Sequence, residues 1–356
     1  MGVEEELMLL DSETLALAAA IEPIIAAEHE RGPAKRELMQ CQAELATRPC
    51  RTAAELRDEL VDLRAALRRD AARRDVLVAG AGTHPFSHAE DQPITPSHRS
   101  RELVAALRFP ARRTLCFGMH VHVAVAGAEK ALQILEAILG ELPLLLALSA
   151  SSPFWDSEET GLASTRLIIL QTMPRTGVPP VFESYRDFES TLEGLQRAGA
   201  ITDATYLWWD VRLQPRLGTL EVRIMDVQPR VEDAAALAGL VQALVRHYGM
   251  LYDRGAGFAK ANRLVVGENR WLAARYGLRA PLVTDSNEAV GARTLIAELL
   301  DRVADDAAAL GNEWALERVA SILAEGTSAD RQLHLARRGH GLRDVLRALV
   351  DETAAA

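Results

Sequence analysis

Cysteine, aromatic side chains, basic charge and uninterrupted apolar runs are all in short supply in this 356-residue chain. The three cysteines, Cys41, Cys50 and Cys116, are an odd set without metal-knuckle spacing, so a disulfide framework is excluded and a reducing, cytoplasmic setting is expected. Aromatics make up only 5% of the residues, and Trp155, Trp208 and Trp209 read as core side chains rather than a stacking platform for a base. Forty Lys and Arg stand against 50 Asp and Glu, a net charge of −10, which argues against nucleic acid as a partner. The most apolar stretch, Ala131 to Ala150, is interrupted by Glu136, Glu141 and Pro143, so it reads as a buried helix and no membrane span is expected. The acidic start Met1-Gly2-Val3-Glu4-Glu5-Glu6 matches neither a secretory n-region nor a myristoylation signal. No Gly-x-x-x-x-Gly-Lys-Ser/Thr or Gly-x-Gly-x-x-Gly follows a strand, and Gly-x-Ser-x-Gly and His-Glu-x-x-His are missing. P-loop, dinucleotide, serine-hydrolase and zincin chemistries therefore lose their usual signatures.

What is present is a recurring pattern. Gly2-Val3-Glu4-Glu5-Glu6-Leu7, Met119-His120-Val121-His122-Val123 and Leu220-Glu221-Val222-Arg223-Ile224 each set charged or metal-binding side chains two residues apart in an apolar strand pattern. Alternate strand residues share a face. In one sheet, Glu4, Glu6, His120, His122, Glu221 and Arg223 would line a polar surface, while Val3, Val121, Val123, Val222 and Ile224 would pack behind it. So many buried ionisable groups are costly unless cations or hydrogen bonds compensate them, which makes the surface a bed for metal and phosphate. Glu5 falls on the opposite face, without a role.

Around these strands the chain alternates strand-like and helical patterns, with no fixed repeat. Helices are expected over Leu15 to Glu30 and Thr52 to Arg74, the second with Thr52 as N-cap and a stripe of Leu56, Leu60, Leu63 and Leu67. Val76 to Gly80 reads as a strand entering an exposed loop, Gly82 to Pro96, that is available to a ligand. Leu38 to Leu45 fits strand or helix. Ser149 to Arg186 reads as a long ordered loop, and Trp208 to Arg212 and Thr219 to Val227 as two strands joined by a turn. Ala234 to Tyr252, Glu288 to Leu310, Glu313 to Ala324 and Leu342 to Val350 carry helical periodicity, so the part from about 234 to 356 is expected to cover the sheet.

Eight segments in order resemble the carboxylate-amine ligases of the glutamate–cysteine ligase type 2 family, within the glutamine-synthetase-like superfamily. They are Gly2 to Leu7, Gln42-Ala43-Glu44-Leu45, Gly82-Thr83-His84-Pro85-Phe86, Gly118 to Val123, Ser151-Ser152-Pro153-Phe154-Trp155, Gly161 to Arg166, Trp209-Asp210-Val211-Arg212 and Gly218 to Arg223. The resemblance implies an ATP-dependent ligase. The carboxylate takes the γ-phosphoryl group and the amine displaces phosphate from the acyl phosphate, with Mg²⁺ or Mn²⁺ clamping the phosphates. It further implies that Glu4, His120 and Glu221 bind the cation touching the nucleotide phosphates, and that Glu6 and Glu44 serve a second cation near the acceptor carboxylate. Arg223 would touch the γ-phosphate. Arg166 would grip the substrate carboxylate or the phosphoryl group, with Arg212 a weaker candidate for that duty. His122 would orient its neighbours or reach phosphate, and His84 stands between loop support and substrate contact.

The fold expected is α+β, a curved and mostly antiparallel sheet backed by helices, in a single domain over residues 1–356. A γ-glutamyl bond is the family default. A kinase on the same sheet and a catalytically silent nucleotide or amino-acid binder are the competing readings. The partners expected are a small-molecule carboxylate and an amine, with a homodimer plausible by family analogy.

Overall fold

The computed structural model describes residues 1–27 and 34–355. Its centre is a seven-stranded sheet of β1 (Gly2–Asp11), β2 (Ala34–Arg36), β3 (Gln42–Ala46), β4 (Val76–Ala79), β5 (Gly118–Ala124), β6 (Val211–Gln214) and β7 (Thr219–Asp226). The spatial order is β6-β7-β5-β1-β3-β2, with β4 pairing the far half of β1, and every pairing is antiparallel. Glu44, ambiguous in the sequence, lies in β3 directly opposite Glu6.

Val3, Val121, Val123 and Val222 pack behind the sheet in the main core, as the alternation requires. Ile224 is buried in the same core and also reaches the lining of the cavity. The reason is a bulge: the register with β5 shifts between Val222 and Met225, inserting one residue into β7.

Helix Ala53–Ala72 runs behind β1. Thr52 caps it by accepting from the Glu55 amide at 3.2 Å, and Leu56, Leu60 and Leu67 are fully buried. Between them Arg64, also fully buried, donates from Nε and Nη2 to Glu5 at 2.9 and 2.6 Å and to the carbonyls of Gln228 and Pro229 at 2.8 and 2.6 Å. Glu5, assigned no role from sequence, thus ties β1 to the chain leaving β7. Helix Val231–Asp253 follows, buried along nearly all its first fifteen residues, and helices Ala292–Leu310 and Glu313–Glu325 pack on it. Leu342–Ala354 packs on β4.

Several elements differ from expectation. The apolar stretch forms two helices, Ala128–Ile138 and Leu142–Ser149, bent by 65° where Gly140 breaks the first and Pro143 starts the second. Among the described residues no single helix is long and apolar enough to cross a membrane. The first predicted helix begins only at Ile21 and is described to Ala27; the rest of that prediction falls outside the described residues. The loop after β4 is not exposed at its start, because Gly82 to Pro85 are buried under backbone bonds from the Gly82 amide to Ser151 and from the Phe117 amide to Gly82. The Ser149–Arg186 stretch contains a short helix, Thr165–Leu170. Helices His98–Leu107, Tyr185–Arg197, Arg263–Tyr276 and Ser328–Arg337 had no counterpart in the sequence reading.

Candidate active site

The pairing of β1, β5 and β7 decides which side chains meet. Glu4 stands opposite His120, and His122 stands opposite both Gly2 and Glu221. Cross-strand partners share a face, so one polar cluster forms from residues more than two hundred positions apart. His120 Nδ1 lies 3.3 Å from Glu4 Oε2, and His122 Nε2 lies 3.7 Å from Glu4 Oε2 and 3.9 Å from Glu221 Oε1. One donor atom each from Glu4, His120 and Glu221 falls within 4.8 Å of the others. This is the spacing of ligands around one ion.

Electrostatics sharpen the picture. Burial alone would raise the Glu4 carboxyl, but the hydrogen bond with His120 and the nearby His122 ring outweigh it and hold the group well below the usual carboxylate range. Burial likewise opposes ionisation of Glu221, yet the Arg223 and Arg212 guanidiniums bring it down to about 2. His120 is pushed down to about 4, mainly by burial and then by Arg223, so it is a neutral imidazole at neutral pH, the form that ligates metal.

A second acidic group lies on the β3 side. Glu6 accepts from the Gly118 amide at 2.6 Å, and Glu44 pairs with the exposed Lys35 at 3.3 Å. Glu37, the residue after β2, joins them by a hydrogen bond with Glu44, and the sequence pattern gave it no role. Burial raises Glu6 to about 7, and burial together with the Glu6 charge raises Glu37 well above its ordinary value. Carboxyls crowded in this way lack counter-charge. Glu37 lies in a short hairpin with no periodic pattern, so its only sequence signal was a carboxylate seven residues before Glu44.

Arginines stand among these groups. Arg223 is ion-paired with Glu221 and reaches His120 Nδ1 at 3.3 Å. Arg166, at the start of Thr165–Leu170, donates from Nη1 and Nη2 to the carbonyls of Ile224 and Arg223 at 3.2 and 3.1 Å, while its buried Nε has no partner. Arg212, the weaker candidate for gripping the acid or the phosphoryl group, lines the cavity with most of its donors already used. Its Nε and Nη2 donate to Glu221 at 2.6 and 3.0 Å, and its Nη1 donates to the carbonyls of Thr205 and Leu207, both at 3.0 Å. Four of its five N–H groups are therefore committed, two of them to Glu221.

Of the two roles left open for His84, loop support and substrate contact, the hydrogen bonds favour the first. Its Nε2 bonds the Leu15 carbonyl at 2.9 Å, and its Nδ1 accepts from the Phe86 and Ser87 amides at 3.2 and 2.9 Å. It supports the loop from inside the protein, away from the cavity.

The cavity is about 300 Å³. Glu4, Glu6, Glu37, Glu44, His120 and His122 line it together with Arg166, Arg212 and Arg223. Glu221 lies fully buried just beneath. The donor set fits a hard divalent cation: hard oxygens plus a neutral imidazole, carboxyls short of counter-charge, and a buried His122 Nε2 left without a hydrogen bond.

Comparison with known proteins decides the family, since the sequence profile of glutamate–cysteine ligase family 2 matches residues 1–351. The chain belongs to glutamate–cysteine ligase family 2. Membership makes it an ATP-dependent carbon–nitrogen ligase. A candidate glutamate–cysteine ligase 2 of Sorangium cellulosum is 41% identical over 359 residues, covering 99% of this chain and 96% of its own. Its counterpart in Chloroflexus aggregans is 38% identical over 356 residues, covering 99% and 91%. Among solved structures, the glutamate–cysteine ligase of Francisella tularensis in complex with AMP superposes with a TM-score of 0.74 at 14% identity, covering 100% of this chain and 89% of that one. The bifunctional glutathione synthetase of Pasteurella multocida gives 0.73 at 13% identity, covering 99% and 52%. At such identities the likeness is one of fold, and it is the helix-backed antiparallel α+β fold that the family resemblance implied.

Proposed function

We propose that this glutamate–cysteine ligase family 2 member joins a small-molecule carboxylate, glutamate by default, to an amine, and that Glu4, His120, Glu221, Glu6 and Glu44 are the residues that hold Mg²⁺ or Mn²⁺. The observation carrying this reading is the meeting of Glu4, His120 and Glu221 beside Arg223. When bound, the cations neutralise charge on the ATP phosphates. The protein's own groups have distinct tasks. Arg223 contacts the γ-phosphate, where a guanidinium stabilises charge on the transferring group. Arg166 holds the acid in line, and Arg212 keeps Glu221 oriented and ionised. Glu37 completes the acidic group of Glu6 and Glu44. His122 spans Glu4 and Glu221 and bonds Thr219 Oγ1 at 3.1 Å, which supports an orienting role.

The acid oxygen attacks the γ-phosphorus and ADP leaves; the amine nitrogen then attacks the acyl carbon, phosphate leaves, and the amine loses a proton. Three buried, free thiols support a reducing, cytoplasmic setting. The test is incubation of the purified protein with ATP, Mg²⁺, glutamate and a panel of amines. ADP formed only when acid and amine are both present, with a product one water lighter than their sum, is expected. A phosphorylated acid or guanidino product without condensation would instead mark a kinase.

A further inference from the structure

One buried carboxylate behind Arg166 has no part in the steps above. Asp226 ends β7, is completely buried, and pairs in register with Gly118. In a regular strand, Glu221 and Asp226 would face opposite sides, being five residues apart. The bulge between Val222 and Met225 reverses that parity and brings Asp226 to the side of Gly118, His120 and His122.

There the carboxylate meets only donors. Its Oδ2 accepts from the Ser151 amide at 2.9 Å and from Ser152 Oγ at 2.7 Å, and its Oδ1 accepts from Ser164 Oγ at 2.9 Å. Arg166 Nη1 lies 3.9 Å from the same Oδ1, and the Arg166 amide donates to Ser152 Oγ at 3.2 Å. Space is closed on both sides. A Cβ on Gly82 would come within 2.6 Å of the Asp226 carboxyl carbon, and one on Gly118 within 2.2 Å of Arg166 Nη2. Serines could satisfy an amide as well as a carboxylate. What an amide could not supply is negative charge on the inner side of a buried guanidinium whose hydrogen bonds go to neutral carbonyls and whose other carboxylate neighbour, Glu6, lies on the cavity side.

We propose that Asp226 is a positioning residue for Arg166, its serine-caged charge fixing the guanidinium toward the acid substrate. The proposal rests on the reading of Arg166 as the grip on that acid. Asp226→Asn keeps the shape and can keep the serine bonds, so it removes the charge alone. With glutamate, or whichever acid the ligation assay selects, Asp226→Asn is expected to raise the KM for the acid about tenfold while changing that for ATP less than about twofold. Arg166→Ala should raise the acid KM further, and adding Asp226→Asn to it should add nothing. Gly118→Ala, which crowds the guanidinium sterically, should give the same acid-selective signature and covers the case in which Asp226→Asn does not fold. A lowered melting temperature with both KM values unchanged would make Asp226 merely structural and overturn the proposal. So would equal effects on acid and ATP, or an Asp226→Asn effect that persists undiminished in the Arg166→Ala background. If Arg166→Ala itself spares the acid KM while Asp226→Asn raises it, the reading of Arg166 fails and the proposal with it.

Discussion

Glu4, Glu5 and Glu6 are three identical side chains in a row with three different fates. Glu4 is held ionised by two imidazoles, Glu5 is sealed in an ion pair with Arg64, and Glu6 is raised to about 7 by burial. Period-two alternation separated Glu5 from its neighbours in the sequence, and the same logic found His120, His122, Glu221 and Arg223. It could not see Arg64, which looks like one more exposed helix position, or Glu37. It left His84 between two roles, because a setting in a polar, proline-bearing segment hides that both ring nitrogens are used by backbone. That burial has a measurable consequence. The folded ring titrates at about 4, against about 6.5 in the unfolded chain. Between those values the unfolded state binds more protons, so the neutral ring's contribution is complete above about pH 6.5 and is lost as pH falls, by roughly 3 kcal/mol at pH 4. His120 adds a loss of the same sign. Urea denaturation of His84→Gln at pH 7 and pH 4.5 should therefore show a smaller drop in stability than the parent, by about 2 kcal/mol; equal drops would remove His84 as a source.

At the level of elements, strands were legible where apolar and charged residues alternate, and helix Ala53–Ala72 where a leucine stripe follows a threonine cap. Breaks were less legible. The bend at Gly140 and Pro143 lies within so apolar a stretch that composition reads straight through it, and the β7 bulge leaves no mark in residue type. Both matter, because the bulge decides the orientation of Ile224 and Asp226. The link between helix Ala53–Ala72 and β1 also has a predicted cost. Arg64→Met leaves Glu5 buried and unpaired, which should destabilise the protein by about 3–5 kcal/mol. Combining it with Glu5→Leu should restore part of the loss, leaving roughly 1–3 kcal/mol for the Gln228 and Pro229 carbonyls that Arg64 also satisfies. Equilibrium urea unfolding of both single variants and the double gives the cycle. Single variants near the parent's stability would contradict it.

Across the whole molecule, the first and last strands of the sheet begin at Gly2 and Thr219, and the chain closes on itself when Thr353 Oγ1 accepts from the Gly80 amide at 2.9 Å. The ligand groups are meaningless apart; only the complete sheet brings them together. Eight short motifs in order carried the family in the sequence. The helical layer after β7 carried little of that chemistry and was legible only as periodicity. The central claim is that three distant strands share one divalent ion. Crystals grown with Mn²⁺ and a non-hydrolysable ATP analogue, with data collected at the manganese absorption edge, test it directly. The account predicts an anomalous peak at bonding distance from Glu4, His120 and Glu221, lost in Glu221→Gln; a peak elsewhere, or one that leaves any of the three uncoordinated, would contradict it.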